Sequence, residues 1–133
     1  MVTQIKVLIA AEIADPQRVG RFFEELLDML GMQPLGKPQI YEVELEVSKL
    51  GREPFQDEGG ISRNQHGVRL EASQVLSTSH VALHSWPLRK VAELDIFSCR
   101  EFSRDDVYQL VRGFFEPEHI AIRDLSSYRV LPW

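Results

Sequence analysis

The sequence predicts an α+β fold, a two-layer sandwich in which an antiparallel-rich sheet carries two helices on one face. Three observations predict it. Several short segments alternate apolar and polar residues with the period of a strand, and two longer ones repeat apolar residues at helical spacing between recognisable caps. Their order along the chain is β-α-β-β-β-β-α-β, whose closely spaced middle strands favour antiparallel pairing. With 133 residues, 44% hydrophobic and 26% charged, the chain has room for one core, so residues 1–133 are expected to form a single domain.

The first strand is read over residues 4–12, where Ile5, Val7 and Ile9 share a face. A helix follows: Asp15 suits the N-cap, Pro16 the first helical position, and Val19, Phe22, Phe23, Leu26 and Leu30 form a stripe that Gly31 ends. Residues 40–48 alternate most cleanly, with Tyr41, Val43, Leu45 and Val47 opposite Glu42, Glu44 and Glu46. The apolar set is therefore expected to face the core. Residues 49–66, rich in glycine and charge, read as a long flexible loop, the kind that is often functional or mobile. Strands are expected over 67–76, 79–86 and 90–98, the last two joined through Pro87 and the basic pair Arg89-Lys90. A second helix opens at Ser103, with Asp106 approximating a capping box. Its stripe is Val107, Leu110, Val111 and Phe114, and Pro117 stops it. A last strand spans 119–124 before the tail SSYRVLPW.

Composition narrows the function classes. Fifteen basic against twenty acidic residues give a net charge of -5, which argues against nucleic acid as a partner. One cysteine, Cys99, rules out an internal disulfide and a cysteine-rich metal site, and it suits a reducing compartment. No apolar run approaches the ~18 residues of a membrane span, and the opening residues Met1 to Lys6 lack the pattern of a secretory signal. The expectation is a cytoplasmic protein without a membrane partner.

Chemistry concentrates in residues 78–99, TSHVALHSWPLRKVAELDIFSC. Taken singly, these residues have ordinary readings. His80 and His84 are four apart, which would clasp a metal on a helix, but the segment alternates like a strand and offers no third ligand, so no metal site is expected. Phe97 reads as core, Trp86-Pro87 as packing and strand termination, Cys99 as a small buried hydrophobe, and Glu93 and Asp95 as a solvated face.

Taken together, they form a pattern. The string S-H-x-x-x-H-x-W-P followed by A-x-x-D-x-F-x-C, here Ser79, His80, His84, Trp86, Pro87, Ala92, Asp95, Phe97 and Cys99, resembles the prokaryotic S-adenosylmethionine decarboxylase family without insertion or deletion. The early strand ending in Ala11-Glu12 and the element order are also similar to that family. The resemblance implies a proenzyme that cleaves itself between Thr78 and Ser79, converting Ser79 into a pyruvoyl cofactor. It assigns His84 to the proton movements of processing and Cys99 to protonation of the product carbon. An unperturbed thiol, pKa ~8.5, is mostly protonated at neutral pH and can donate. The implied pathway is polyamine (spermidine) synthesis, the implied partners are an amine-bearing small-molecule substrate and a second copy in a homodimer.

Geometry adds a condition. Ser79 and His84 differ by five, so on a straight strand they face opposite sides, and Ser79 is expected at a bend before the strand proper. The chain also departs from the family's pattern. Thr78 stands where glutamate is usual; Leu88 replaces the glutamate that binds ribose hydroxyls; Glu71 occupies, by ungapped counting, the place of a serine that aids processing, with Ser73 nearby; and Arg100 replaces a glycine. An apolar Leu88 leaves ribose hydroxyls without an acceptor, which points to a smaller substrate such as ornithine or arginine. The alternative reading is a non-catalytic paralogue that does not process and serves as a partner subunit or a small-molecule binding module.

Overall fold

The computed structural model describes residues 3–46, 66–76 and 79–126. Strand β1 (Thr3–Ala10), helix α1 (Pro16–Leu30), strands β2 (Gln39–Glu46), β3 (His66–Val75), β4 (His80–Trp86) and β5 (Val91–Ser98), helix α2 (Arg104–Phe115) and strand β6 (His119–Asp124) follow the expected order. The strands form one sheet, ordered β2-β3-β4-β5-β1-β6, in which every neighbouring pair is antiparallel. The fold is α+β, as expected from the sequence. The expected 49–66 loop lies outside the described residues apart from His66, which opens β3 one residue earlier than expected.

Both helices pack on one face of this sheet. Ile5, Val7 and Ile9 of β1, Val81 and Leu83 of β4 and Leu94 and Ile96 of β5 point into a shared core with Val19, Phe22, Phe23 and Leu26 of α1 and Val107 and Val111 of α2. Phe22 meets Phe114 edge-on at 5.6 Å and Phe115 at 5.0 Å, which locks the two helices together. The expected caps form. Asp15 Oδ1 accepts from the amides of Gln17 and Arg18, and Ser103 Oγ accepts from Asp106 N at 3.3 Å. Gly31 closes α1 in the left-handed conformation with φ 66°, which turns the chain back over one end of the sheet.

Two expectations fail for a common reason. Tyr41 and Val43 do not face the core: β2 pairs with β3 so that Ile40 sits opposite the buried Ala72, and Tyr41 sits opposite Glu71 on the face away from the helices. Phe97, expected in the core, lies on that same open face, stacked on His80 with ring centroids 5.5 Å apart. The sheet therefore carries apolar residues on both faces, and alternation alone cannot say which set meets the helices. Leu8, Tyr41 and Val75 are each more than half exposed there, at 51%, 58% and 58%. Among the described residues, no helix is long and apolar enough to cross a membrane.

Candidate active site

Ser79 lies immediately before β4, ahead of the strand proper as the spacing demands, its carbonyl accepting from Leu76 N at 3.0 Å. Thr78 lies outside the described residues. The β4–β5 register sets His80 opposite Phe97, which brings the residues just beyond those ends together. Cys99 N donates to Ser79 Oγ at 3.3 Å although the two residues are twenty apart in the chain. Cys99 is exposed, against its reading as a buried hydrophobe, and the strand end beneath it is tied by Ser98 Oγ, which accepts from Arg100 N at 2.9 Å. Ser79, Ser98, Cys99 and Arg100 share a cavity of about 70 Å³ with Leu76 and the turn Gly31, Met32 and Gln33. That turn was missed from the sequence; the signal for it was Gly31, whose left-handed cap aims the following residues across the sheet end.

His84 is elsewhere. It lies in mid-strand on the open face, five residues from Ser79, so roughly 16 Å away at ~3.3 Å per residue. Its Nδ1 is hydrogen-bonded to Glu71 Oε2, and the other carboxylate oxygen accepts from Arg69 at 2.9 Å. The Arg69 guanidinium stands 5.1 Å from the centroid of Trp86, whose ring lies 6.4 Å from that of His84. The register leaves Ser73 opposite Ala82, so Glu71, not Ser73, is the cross-strand neighbour of His84. His80, next to Ser79 in sequence, points to the open face and approaches Asp95 at 3.8 Å. Among the described residues, no three His, Cys, Asp or Glu side chains group as a metal site would require.

A sequence model of the S-adenosylmethionine decarboxylase family matches residues 5–127. The chain belongs to the S-adenosylmethionine decarboxylase family. Proteins named S-adenosylmethionine decarboxylase proenzyme from Methanococcus maripaludis strain C5 and Archaeoglobus fulgidus are each 36% identical to it, over 53 and 56 residues, which is 39% and 41% of this chain. The matched stretches span less than half of those relatives, 43% and 48% of their lengths. The crystal structure of the adenosylmethionine decarboxylase from Aquifex aeolicus superposes with a TM-score of 0.62 at 13% identity, covering 98% of this chain and 92% of that one, which shows the shared fold.

Within this family fold, the departures from the usual pattern have definite places. Leu88 falls in a short 3-10 turn, Pro87–Arg89, at the far end of β4 from Ser79, and is 44% exposed with no carboxylate to offer. Arg100 lines the Ser79 cavity in place of a small glycine, bringing positive charge to its rim. Ser79 Oγ thus lies against the backbone amide of the exposed Cys99. The cavity itself is small: about 70 Å³ against roughly 300–1,000 Å³ for small-molecule sites.

Proposed function

We propose that this protein is a pyruvoyl-dependent decarboxylase, formed by self-cleavage between Thr78 and Ser79 and active as a homodimer on an amine-bearing amino acid. The observation that carries this reading is the pairing of Ser79 with the exposed Cys99 at one rim of the sheet. In processing, Ser79 Oγ attacks the Thr78 carbonyl carbon, and the peptide C–N bond gives way to an ester. Elimination of that ester and hydrolytic loss of ammonia leave a carbonyl at the new chain start. When formed, that carbonyl supplies an electron sink to a substrate amine losing CO2. Cys99 holds the proton that the substrate carbon then receives, 3.3 Å separating its own amide nitrogen from Ser79 Oγ.

His84 serves the Ser79 of a second copy. Its distance along β4 and its place on the open face keep it from its own Ser79, while the exposed Leu8, Tyr41 and Val75 on the same face suit burial against another chain. The second copy also completes the wall that the small cavity lacks. Leu88 favours a substrate without ribose hydroxyls, ornithine or arginine, over S-adenosylmethionine.

Intact mass and a denaturing gel test the reading. Cleavage of the 133-residue chain predicts fragments 1–78 and 79–133, the latter reactive toward carbonyl reagents. Only full-length protein after long incubation overturns it in favour of the non-catalytic paralogue, a partner subunit or binding module. Release of CO2 from S-adenosylmethionine, ornithine and arginine then identifies the substrate.

A further inference from the structure

The cluster of Arg69, Glu71, His84 and Trp86 crosses β3 and β4 on the open sheet face, away from the Ser79 cavity. Its geometry restricts the imidazole. An ionised carboxylate only accepts hydrogen bonds, so the Nδ1 that meets Glu71 must carry a proton. In the neutral ring the lone pair then resides on Nε2, for which no partner exists among the described residues. The carboxylate is fixed in turn: Arg69 holds its other oxygen at 2.9 Å, and the Arg69 guanidinium lies against Trp86. Glu71 is about a quarter exposed and His84 nearly half, so the acid is the sheltered anchor and the imidazole the accessible end.

From this arrangement we infer that Glu71 is a positioning residue for His84: it holds the ring with the proton on Nδ1 and Nε2 presented outward as the base of self-cleavage. The inference rests on the processing role proposed above for His84. Nε2 takes the hydroxyl proton of the second copy's Ser79 as the C–O bond to that copy's Thr78 carbonyl carbon forms, and returns it to the amide nitrogen as the C–N bond breaks. The ring ends as it began. A serine at position 71 would be a neutral donor and acceptor and would not impose this tautomer; the glutamate makes the arrangement a buttressed acid–imidazole pair. Arg69 belongs to the same device, because a carboxylate at position 71 without a cation beside it would set an unbalanced negative charge against Trp86 and His84.

The test is long-range proton–nitrogen NMR of histidine-labelled full chain, paired with the rate of fragment appearance. The wild type is expected to show a protonated Nδ1 and an unprotonated Nε2 at His84. Glu71→Ala should abolish that preference and slow cleavage at least tenfold, and Glu71→Asp should restore both in part. A wild-type His84 with its proton on Nε2, or a tautomer unmoved by Glu71→Ala, overturns the positioning role even in a chain that never cleaves. Glu71→Ala protein that cleaves at the wild-type rate overturns the link to processing. Absence of fragments from the wild type, by contrast, strikes the pyruvoyl reading itself, and the spectra still decide whether Glu71 sets the ring.

Discussion

At the scale of single residues, Cys99 and Ser85 occupy opposite environments within one short segment. Cys99 is exposed at the sheet rim with its amide bound to Ser79 Oγ, an arrangement made by the backbone and so independent of the thiol. Cys99→Ala should therefore leave fragment formation intact while impairing protonation of the product carbon. Intact mass reads the first and product analysis in D2O the second, and unchanged turnover would remove the thiol from its role. Ser85, by contrast, is fully buried on the core side of β4, and its hydroxyl donates to the Ile13 carbonyl just ahead of α1. Ser85→Ala leaves that carbonyl without its partner and should cost about 1–3 kcal/mol. A lower urea midpoint at unchanged slope is the expected signature.

At the scale of elements, the caps and connections carry both the fold and the approach to the site. Gly31 adopts φ 66° in open space, so a side chain there meets no neighbour but must bear a left-handed backbone. Gly31→Ala should lose about 1–2 kcal/mol in a chemical melt and shift the Met32–Gln33 turn that roofs the cavity. At the other side, Asp124 closes β6. Hydrogen bonds from Ser126, aided by the nearby Arg104, hold its carboxyl below the ordinary value of 3.8. A carboxyl with a lowered folded-state pKa contributes stability that is present above 3.8 and lost as pH falls through the depressed value. Asp124→Asn should thus melt at a lower temperature than the wild type near pH 7 and converge with it in strong acid, as followed by circular dichroism. These helices were legible because Asp15, Pro16, Gly31 and Ser103 are local signals, each satisfied by its own neighbours. The faces of Tyr41 and Phe97 were not, since they depend on which side of a two-sided apolar sheet the helices cover. The pairing of Ser79 with Cys99 was readable through the motif, whereas strand parity told only that Ser79 and His84 face opposite sides of a straight strand, and their separation of roughly 16 Å needed β4 itself. The Arg69–Glu71–His84 chain needed the β3–β4 register, which no single segment encodes.

At the scale of the whole molecule, helices cover one sheet face and leave the other open with Leu8, Tyr41, Val75, Trp86 and Phe97 among charged pairs such as Lys6–Glu93. Under the proposed homodimer such a face is half of a larger core, and laying a second copy on it would join the His84 region of one chain to the rim of the other. Mixing two inactive variants tests this directly. Ser79→Ala lacks the attacking hydroxyl and His84→Ala lacks the base, so neither should cleave alone. In a mixed dimer the Ser79→Ala chain still offers an intact His84, and the His84→Ala chain still offers an intact Ser79. Co-refolding equal amounts should therefore release fragments from the His84→Ala chain only, reaching about half of it if the copies pair at random. Distinct affinity tags identify which chain is cut, and sedimentation velocity shows whether Tyr41→Lys, which places charge on the open face at its β2 edge, separates the copies and abolishes the effect. Cleavage of His84→Ala without a partner would free His84 from processing. Failure of the mixture beside an active wild type would return the reaction to a single chain and require β4 to bend enough to bring residues 79 and 84 together.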